Sequence, residues 1–352
     1  VSAGTESLLV GADGVLPLPW LAGPLTHALA QPGHALLVVG APGAGALELQ
    51  MTLAQAWLCE ARPAGAPLAP PCGRCAACRL VQARTHADLR ILLPESQRVA
   101  RGWEAAGEGG EAGEGRRKPS RWIRIAEVRD AIAWTSTTTA RSRAKVLLLH
   151  PGEALQGEAA SALLKTLEEP PPGTRIVLSC GDPERLLPTV RSRCQRVRLA
   201  APAADQAVDW LAARGVPDPA VLLAAADGGP LDALALHEAG VDAAAWGELP
   251  RALAQGRPQV WSGWPLPRAL DAMHKLCHDL MVVAAGGAPR YFPAEALGAA
   301  PAIASAVAIE SLGRWADVLV QVRGRAEHPW NEALLIESLV AQGRDALVRL
   351  RA

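Results

Sequence analysis

The chain has 352 residues, half hydrophobic and one fifth charged, which supports a sizeable packed core spread over two or three domains. Lys plus Arg equals Asp plus Glu at 35 each, so a protein holding DNA mainly through its own surface is disfavoured, because neutralising phosphates drives that affinity. No apolar run approaches the roughly 20 residues of a membrane helix, and Val1-Ser2-Ala3-Gly4-Thr5-Glu6 lacks the basic start and apolar core of a secretory signal; a soluble cytoplasmic protein without a membrane partner is expected.

In chain order, Ala35-Leu36-Leu37-Val38-Val39 reads as a buried strand and Leu47 to Leu58 as a helix. Residues 61–71 are Pro/Ala-rich and lead into a cysteine cluster. Residues 101–119 are rich in Gly, Glu and Arg with almost nothing to bury, and are expected to be a mobile surface insertion. A second strand, Lys145 to Leu149, precedes a helix from about Gly157 to Leu167. A third, Arg175 to Ser179, is followed by Pro183 and a short helix. Short, fully apolar strands alternating with helices predict an α/β fold with a parallel sheet. After about residue 200 the strand signals fade. Short helices are expected over 207–213 and 219–226, the latter with Asp218 as N-cap and Pro219 at its first position. From about 250 onward the pattern is Ala/Leu-rich and helical, with tryptophans at 261, 264, 315 and 330.

The first strand runs into Gly40-Ala41-Pro42-Gly43-Ala44-Gly45, the strand–glycine–helix layout of a phosphate loop. Such a loop needs a Lys for the outer phosphates and a hydroxyl for magnesium. Those positions hold Ala46 and Leu47. On this loop alone, a glycine-rich turn without nucleotide ancestry fits equally well. The strand ending at Leu149 matters more. In P-loop ATPases it ends in acidic residues that hold the metal and position water, and here it is followed by His150-Pro151-Gly152-Glu153. Glu153 lies three residues late for the metal role. Both halves of the chemistry are missing together, which fits a retired ATPase.

Of seven cysteines, four fall at Cys59, Cys72, Cys75 and Cys78, while Cys180, Cys194 and Cys277 stand apart and suit small core hydrophobes. An odd total argues against a disulfide framework. Four thiolates at such spacing suit a closed, structural tetrahedral zinc site. An iron–sulfur cluster also takes four cysteines.

Two stretches carry a specific resemblance: Ala160 to Pro171 (ASALLKTLEEPP) and Asp182 to Cys194 (DPERLLPTVRSRC). Both closely resemble the clamp-loader branch of the AAA+ ATPases, over roughly residues 15 to 245. The resemblance implies an AAA+ core over 1–200 with a zinc module at 59–78 and the 101–119 insertion, a small helical lid over 201–248, and a C-terminal helical collar domain over 249–352 that joins a pentameric ring. Motor subunits of this branch, gamma/tau, keep the loop Lys and the acidic pair. Ala46, Leu47, His150 and Pro151 therefore place the resemblance on the delta-prime side, with no ATP hydrolysis by this chain. It implies that Arg193 is donated in trans to ATP on a neighbouring subunit, with Ser192 and Cys194 as support and Arg191 as the decoy. A guanidinium stabilises the transferring phosphoryl group whichever chain supplies it. A purely structural ion pair is the alternative for Arg193. The implied partners are gamma/tau, delta, the sliding clamp and primer–template DNA, within a DNA polymerase III holoenzyme. Two rival readings are an active motor ATPase and a zinc-stabilised DNA-binding protein.

Overall fold

The computed structural model describes residues 8–63, 66–103, 119–298, 306–325, 328 and 330–348. Most of the 101–119 stretch, residues 104–118, lies outside them. The chain divides into two units, with the boundary between residues 201 and 202.

Among the described residues, five parallel strands build the first unit: β1 (Ala35–Gly40), β2 (Leu89–Leu92), β3 (Lys145–Leu149), β4 (Thr174–Cys180) and β5 (Gln195–Leu199). Their spatial order is β2-β3-β4-β1-β5. Leu37 of β1 lies opposite Leu178 of β4 on one side and Arg196 of β5 on the other. Among the described residues, seven α-helices belong to this unit: α1 (Ala22–Ala30), α2 (Ala46–Leu58), α3 (Ala76–Gln82), α4 (Glu95–Ala100), α5 (Ile125–Thr135), α6 (Gly157–Glu168) and α7 (Pro188–Arg191). Leu37, Leu147, Leu149, Ile176 and Leu178 form one core with Val128 of α5 and Leu163 and Leu167 of α6. Alternate residues point to the opposite face, where α2 packs on β1, β3 and β4. Cover on both faces is why the central strands are apolar throughout.

Two strands fall outside the apolar runs. β2 has only four residues. β5 buries Val197 and Leu199 but exposes Gln195, Arg196 and Arg198, the alternation of an edge strand with one wet face.

The second unit is helical: α8 (Ala204–Ala212), α9 (Pro219–Ala225), α10 (Pro230–Glu238), α11 (Ala243–Ala254), α12 (Leu266–Ala284), α13 (Ala294–Leu297), α14 (Ala306–Gly324) and α15 (Glu332–Val348). Residues 248 and 249, where lid and collar are expected to meet, lie inside α11, and one core runs from Ala225 to Leu347. Trp246 stacks on Phe292 with centroids 4.8 Å apart, and Trp261 and Trp315 are buried in the same core. The buried Asp279 carboxylate accepts from the backbone N–H groups of Arg290, Tyr291 and Phe292 at 2.7–3.0 Å and so fixes the turn after α12. Asp218 stands at the expected N-cap of α9 with Pro219 at its first position, but its backbone is left-handed (φ 46°) and its side chain makes no capping bond. No single helix among the described residues is long and apolar enough to cross a membrane.

Candidate functional site

In a parallel sheet of this kind, ligands sit beyond the carboxyl ends of the strands. Gly40, His150 and Glu153 are all found there. Gly45 precedes α2 with φ +96°, a conformation that only glycine adopts without strain. The Trp20 indole N–H braces the turn by donating to the Ala44 carbonyl at 2.8 Å. Leu47, at the hydroxyl position, is turned into the core and only 2% exposed. Ala46 offers no cation.

The loop after β3 is held to β4 and to the loop after it by polar contacts. His150 Nδ1 lies 2.6 Å from Ser179 Oγ on β4. Burial, helped by the charge of Arg101, pulls the His150 pKa down to about 4, so the ring is neutral at pH 7 and supplies no charge where a carboxylate would carry one. Glu153 Oε1 accepts from the backbone N–H groups of Gly181 (2.7 Å) and Asp182 (2.9 Å), tying the loop after β3 to the loop after β4. The His150 environment has a measurable consequence. Its folded pKa is depressed, so the unfolded chain takes up the proton first as pH falls. Stability is therefore expected to drop by roughly 3 kcal/mol between pH 6.5 and 4, at about 1.4 kcal/mol per pKa unit. Urea melts across this window should show that slope, and His150→Gln should flatten it.

The Ser192-Arg193-Cys194 motif follows α7 and precedes β5. Leu199 pairs with Gly40 and Gln195 with Leu36. Arg193 therefore stands about 13 Å or more of strand away from the chain's own glycine loop. The guanidinium is held by Glu168 Oε1, which accepts from Nε at 2.7 Å and also from Nη2, and by the Thr189 carbonyl, which accepts from Nη1 at 2.9 Å. Both holders escape sequence reasoning. Glu168 sits in the ASALLKTLEEPP stretch 25 residues away, and nothing in linear spacing pairs it with Arg193. Ser192 Oγ donates to Thr189 O at 3.2 Å. Cys194 is buried and its thiol is pushed up to about 12, first by burial and then by Cys180. It packs the motif rather than reacting. Arg191 pairs with Glu184.

The four clustered cysteines do come together. Their sulfurs all lie within 4.8 Å of one another, with Cys72–Cys78 and Cys59–Cys75 at 3.9 Å. Tetrahedral zinc with bonds of about 2.3 Å separates its sulfurs by about 3.8 Å, so the residues fit such an ion. Cys75 is the N-cap of α3, and its sulfur accepts from the N–H groups of Cys78 and Glu60 at 3.4 Å. Burial opposes ionisation of Cys75, but these N–H groups bring its pKa down to about 7. Burial pushes the Cys78 thiol up. Four adjacent thiolates require a central cation to ionise together. Gly73, with φ +68°, lets the turn sit against the Gly11 carbonyl, which a Cβ would approach to 1.7 Å. Gln82 closes the module by donating to the Val10 and Gly73 carbonyls at 2.7 and 2.9 Å.

The family model described as DNA polymerase III, delta subunit, matches residues 26–203. The chain is 40% identical over 217 residues to DNA polymerase III subunit delta' of Pseudomonas aeruginosa, covering 60% of this chain and 58% of that protein. It is 36% identical over 208 residues to the Escherichia coli subunit delta', covering 58% and 54% respectively. The Escherichia coli subunit tau is 30% identical over 168 residues, covering 48% of this chain and 22% of that protein. The chain thus matches somewhat over half the length of its delta' relatives. By its family match and by these relatives, the chain belongs to the DNA polymerase III delta-subunit family, on its delta' side.

Proposed function

We propose that this chain is a non-hydrolysing ring member of a clamp loader, donating Arg193 in trans to the ATP site of a neighbouring motor subunit. The observation that carries the reading is one contrast. The phosphate loop is disarmed, with Leu47 buried where a metal-binding hydroxyl is needed. Arg193 meanwhile stays at the surface, 31% exposed and a strand's length from that loop. A motor subunit of the gamma/tau type, a delta subunit, the sliding clamp and primer–template DNA are the partners this role requires, and the role is cytoplasmic. The lid and collar expected over 201–248 and 249–352 then share one helical unit, since α11 and one core run across residues 248 and 249. Zinc held by Cys59, Cys72, Cys75 and Cys78 has a structural task, since four protein ligands leave no open position.

Glu168 does not obstruct the role. An exposed ion pair is worth about 0.2–1 kcal/mol, whereas an arginine finger accelerates turnover by about 10³–10⁵. A γ-phosphate therefore displaces Glu168 readily. The test is the DNA- and clamp-stimulated ATPase of the reconstituted loader. The isolated chain is expected to be silent, and Arg193→Ala to lower turnover by about tenfold or more while the complex still assembles. Arg191→Ala should leave turnover unchanged. Hydrolysis by the isolated chain, or full turnover of an intact Arg193→Ala complex, would leave only a scaffold role.

A further inference from the structure

We propose that the first unit carries a second anion site, an arginine-lined pocket at the opposite end of the sheet from the glycine loop, which takes a phosphate or pyrophosphate group. The pocket has a volume of about 220 Å³ and lies between the C-terminal end of α2 and the starts of β3 and β4. Arg62, Arg143 and Arg175 line it together with Trp57, Pro63 and Leu68, and no carboxylate is among its lining residues.

The guanidiniums are fixed from behind by backbone carbonyls. Arg175 Nη1 donates to Gly33 O at 2.7 Å, and Arg143 Nη2 to Arg62 O at 2.6 Å and Glu60 O at 3.4 Å. Arg62 Nη2 donates to Ala56 O at 3.4 Å. A guanidinium carries five N–H donors, so most remain for an incoming acceptor. The Glu60 carboxylate is already taken, by Arg141 at 2.6 Å and by the Ala77 N–H at 3.4 Å. The buried indole N–H of the lining Trp57 has no acceptor among the described residues. Burial also lowers the Arg175 pKa, the mark of a cation held without a counter-charge. Three converging cations with surplus donors and no acceptor side chain complement an oxyanion, and a guanidinium fork matches phosphate oxygens two at a time.

Size narrows the ligand. The pocket is smaller than the about 300–1,000 Å³ of sites that enclose whole small molecules. Only a phosphate or pyrophosphate group enters, and whatever bears it stays outside. Free pyrophosphate and a terminal nucleic-acid phosphate share this chemistry.

The test is calorimetric titration of the 352-residue chain with inorganic pyrophosphate at fixed ionic strength, against sulfate as reference. Saturable binding is expected, weakened by about tenfold or more in Arg62→Gln and in Arg143→Gln. Among the described residues the Arg62 side chain makes one long hydrogen bond, so its variant should melt at the wild-type temperature and read binding alone. No saturable binding, or binding unchanged in both variants, overturns the proposal; the second result moves the anion to the glycine loop or to scattered surface cations. Competition by a 5′-phosphorylated oligonucleotide, but not by its unphosphorylated twin, assigns the site to a nucleic-acid end. Binding of pyrophosphate without such competition assigns it to the free anion.

Discussion

Cys78→Ser is expected to abolish metal retention and to lower the unfolding temperature on the order of 6–12 °C, the effect of about 3 kcal/mol in a domain of this size. Structural zinc contributes roughly 10–16 kcal/mol to small zinc peptides, and a domain with its own sheet core depends on only part of that. The part can be traced here. Cys78 is fully buried in α3, and α3 positions Gln82 on the Val10 carbonyl. Gln55 of α2 donates to the same carbonyl at 2.9 Å. Losing the module therefore frees residues 8–11 and strips a partner from α2, the helix behind the glycine loop. Metal analysis and thermal unfolding of wild type, chelator-treated wild type and Cys78→Ser make the test. About one zinc per chain is expected in wild type, with added zinc rescuing the chelated protein and not the variant. Metal-free wild type whose melting ignores chelator would reduce the four cysteines to packed thiols. Iron with visible absorbance would replace zinc by an iron–sulfur cluster.

The α/β core was legible because its strands are buried on both faces, so Leu36 to Val39 and Val146 to Leu149 declare themselves as apolar runs. β5 was not: Arg196 and Arg198 on its wet face break the run, although Val197 and Leu199 beneath them are buried. The cysteine cluster was legible since three of its four members lie within seven residues, and short loops force their sulfurs together. That the glycine loop lacks a Lys and a hydroxyl could be read from Ala46 and Leu47, but its reading as a retired phosphate loop needed His150 and Pro151 as well. The contacts made around those positions could not be read. Ser179 meets His150, Gly181 meets Glu153 and Glu168 meets Arg193 only once β3, β4 and α6 are laid side by side, and no linear spacing encodes those pairs. The arginine pocket has the same origin: Arg62, Arg143 and Arg175 lie more than 110 residues apart end to end and converge through sheet order. In the second unit, helical periodicity located the elements but not their shared core, because Ala/Leu patterning gives a buried face without naming its partner.

Asp88→Ala is expected to destabilise the first unit by about 3–5 kcal/mol, the cost of leaving a buried cation without its partner. Asp88 is fully buried immediately before β2. Its carboxylate accepts from the N–H groups of Ala140 (2.8 Å) and Arg141 (3.0 Å), and Lys145 Nζ stands 3.4 Å away. Lys145 is itself only 4% exposed and lies over the Trp134 ring at 4.3 Å. Removing Asp88 orphans two backbone donors and one ammonium together. Lys145→Met fills similar volume and leaves Asp88 its two N–H partners, so a smaller loss is expected. The double variant should be more stable than Asp88→Ala alone, because the lone cation is gone. Denaturant melts of the three variants give the cycle, and equal losses in both single variants would make the ion pair, rather than the pinned backbone, the source of stability. The effect should also reach the metal. Asp88 holds the backbone of Arg141, Arg141 holds Glu60 at 2.6 Å, and Glu60 follows Cys59. Asp88→Ala should therefore release zinc to chelator faster than wild type, whereas Lys145→Met should not.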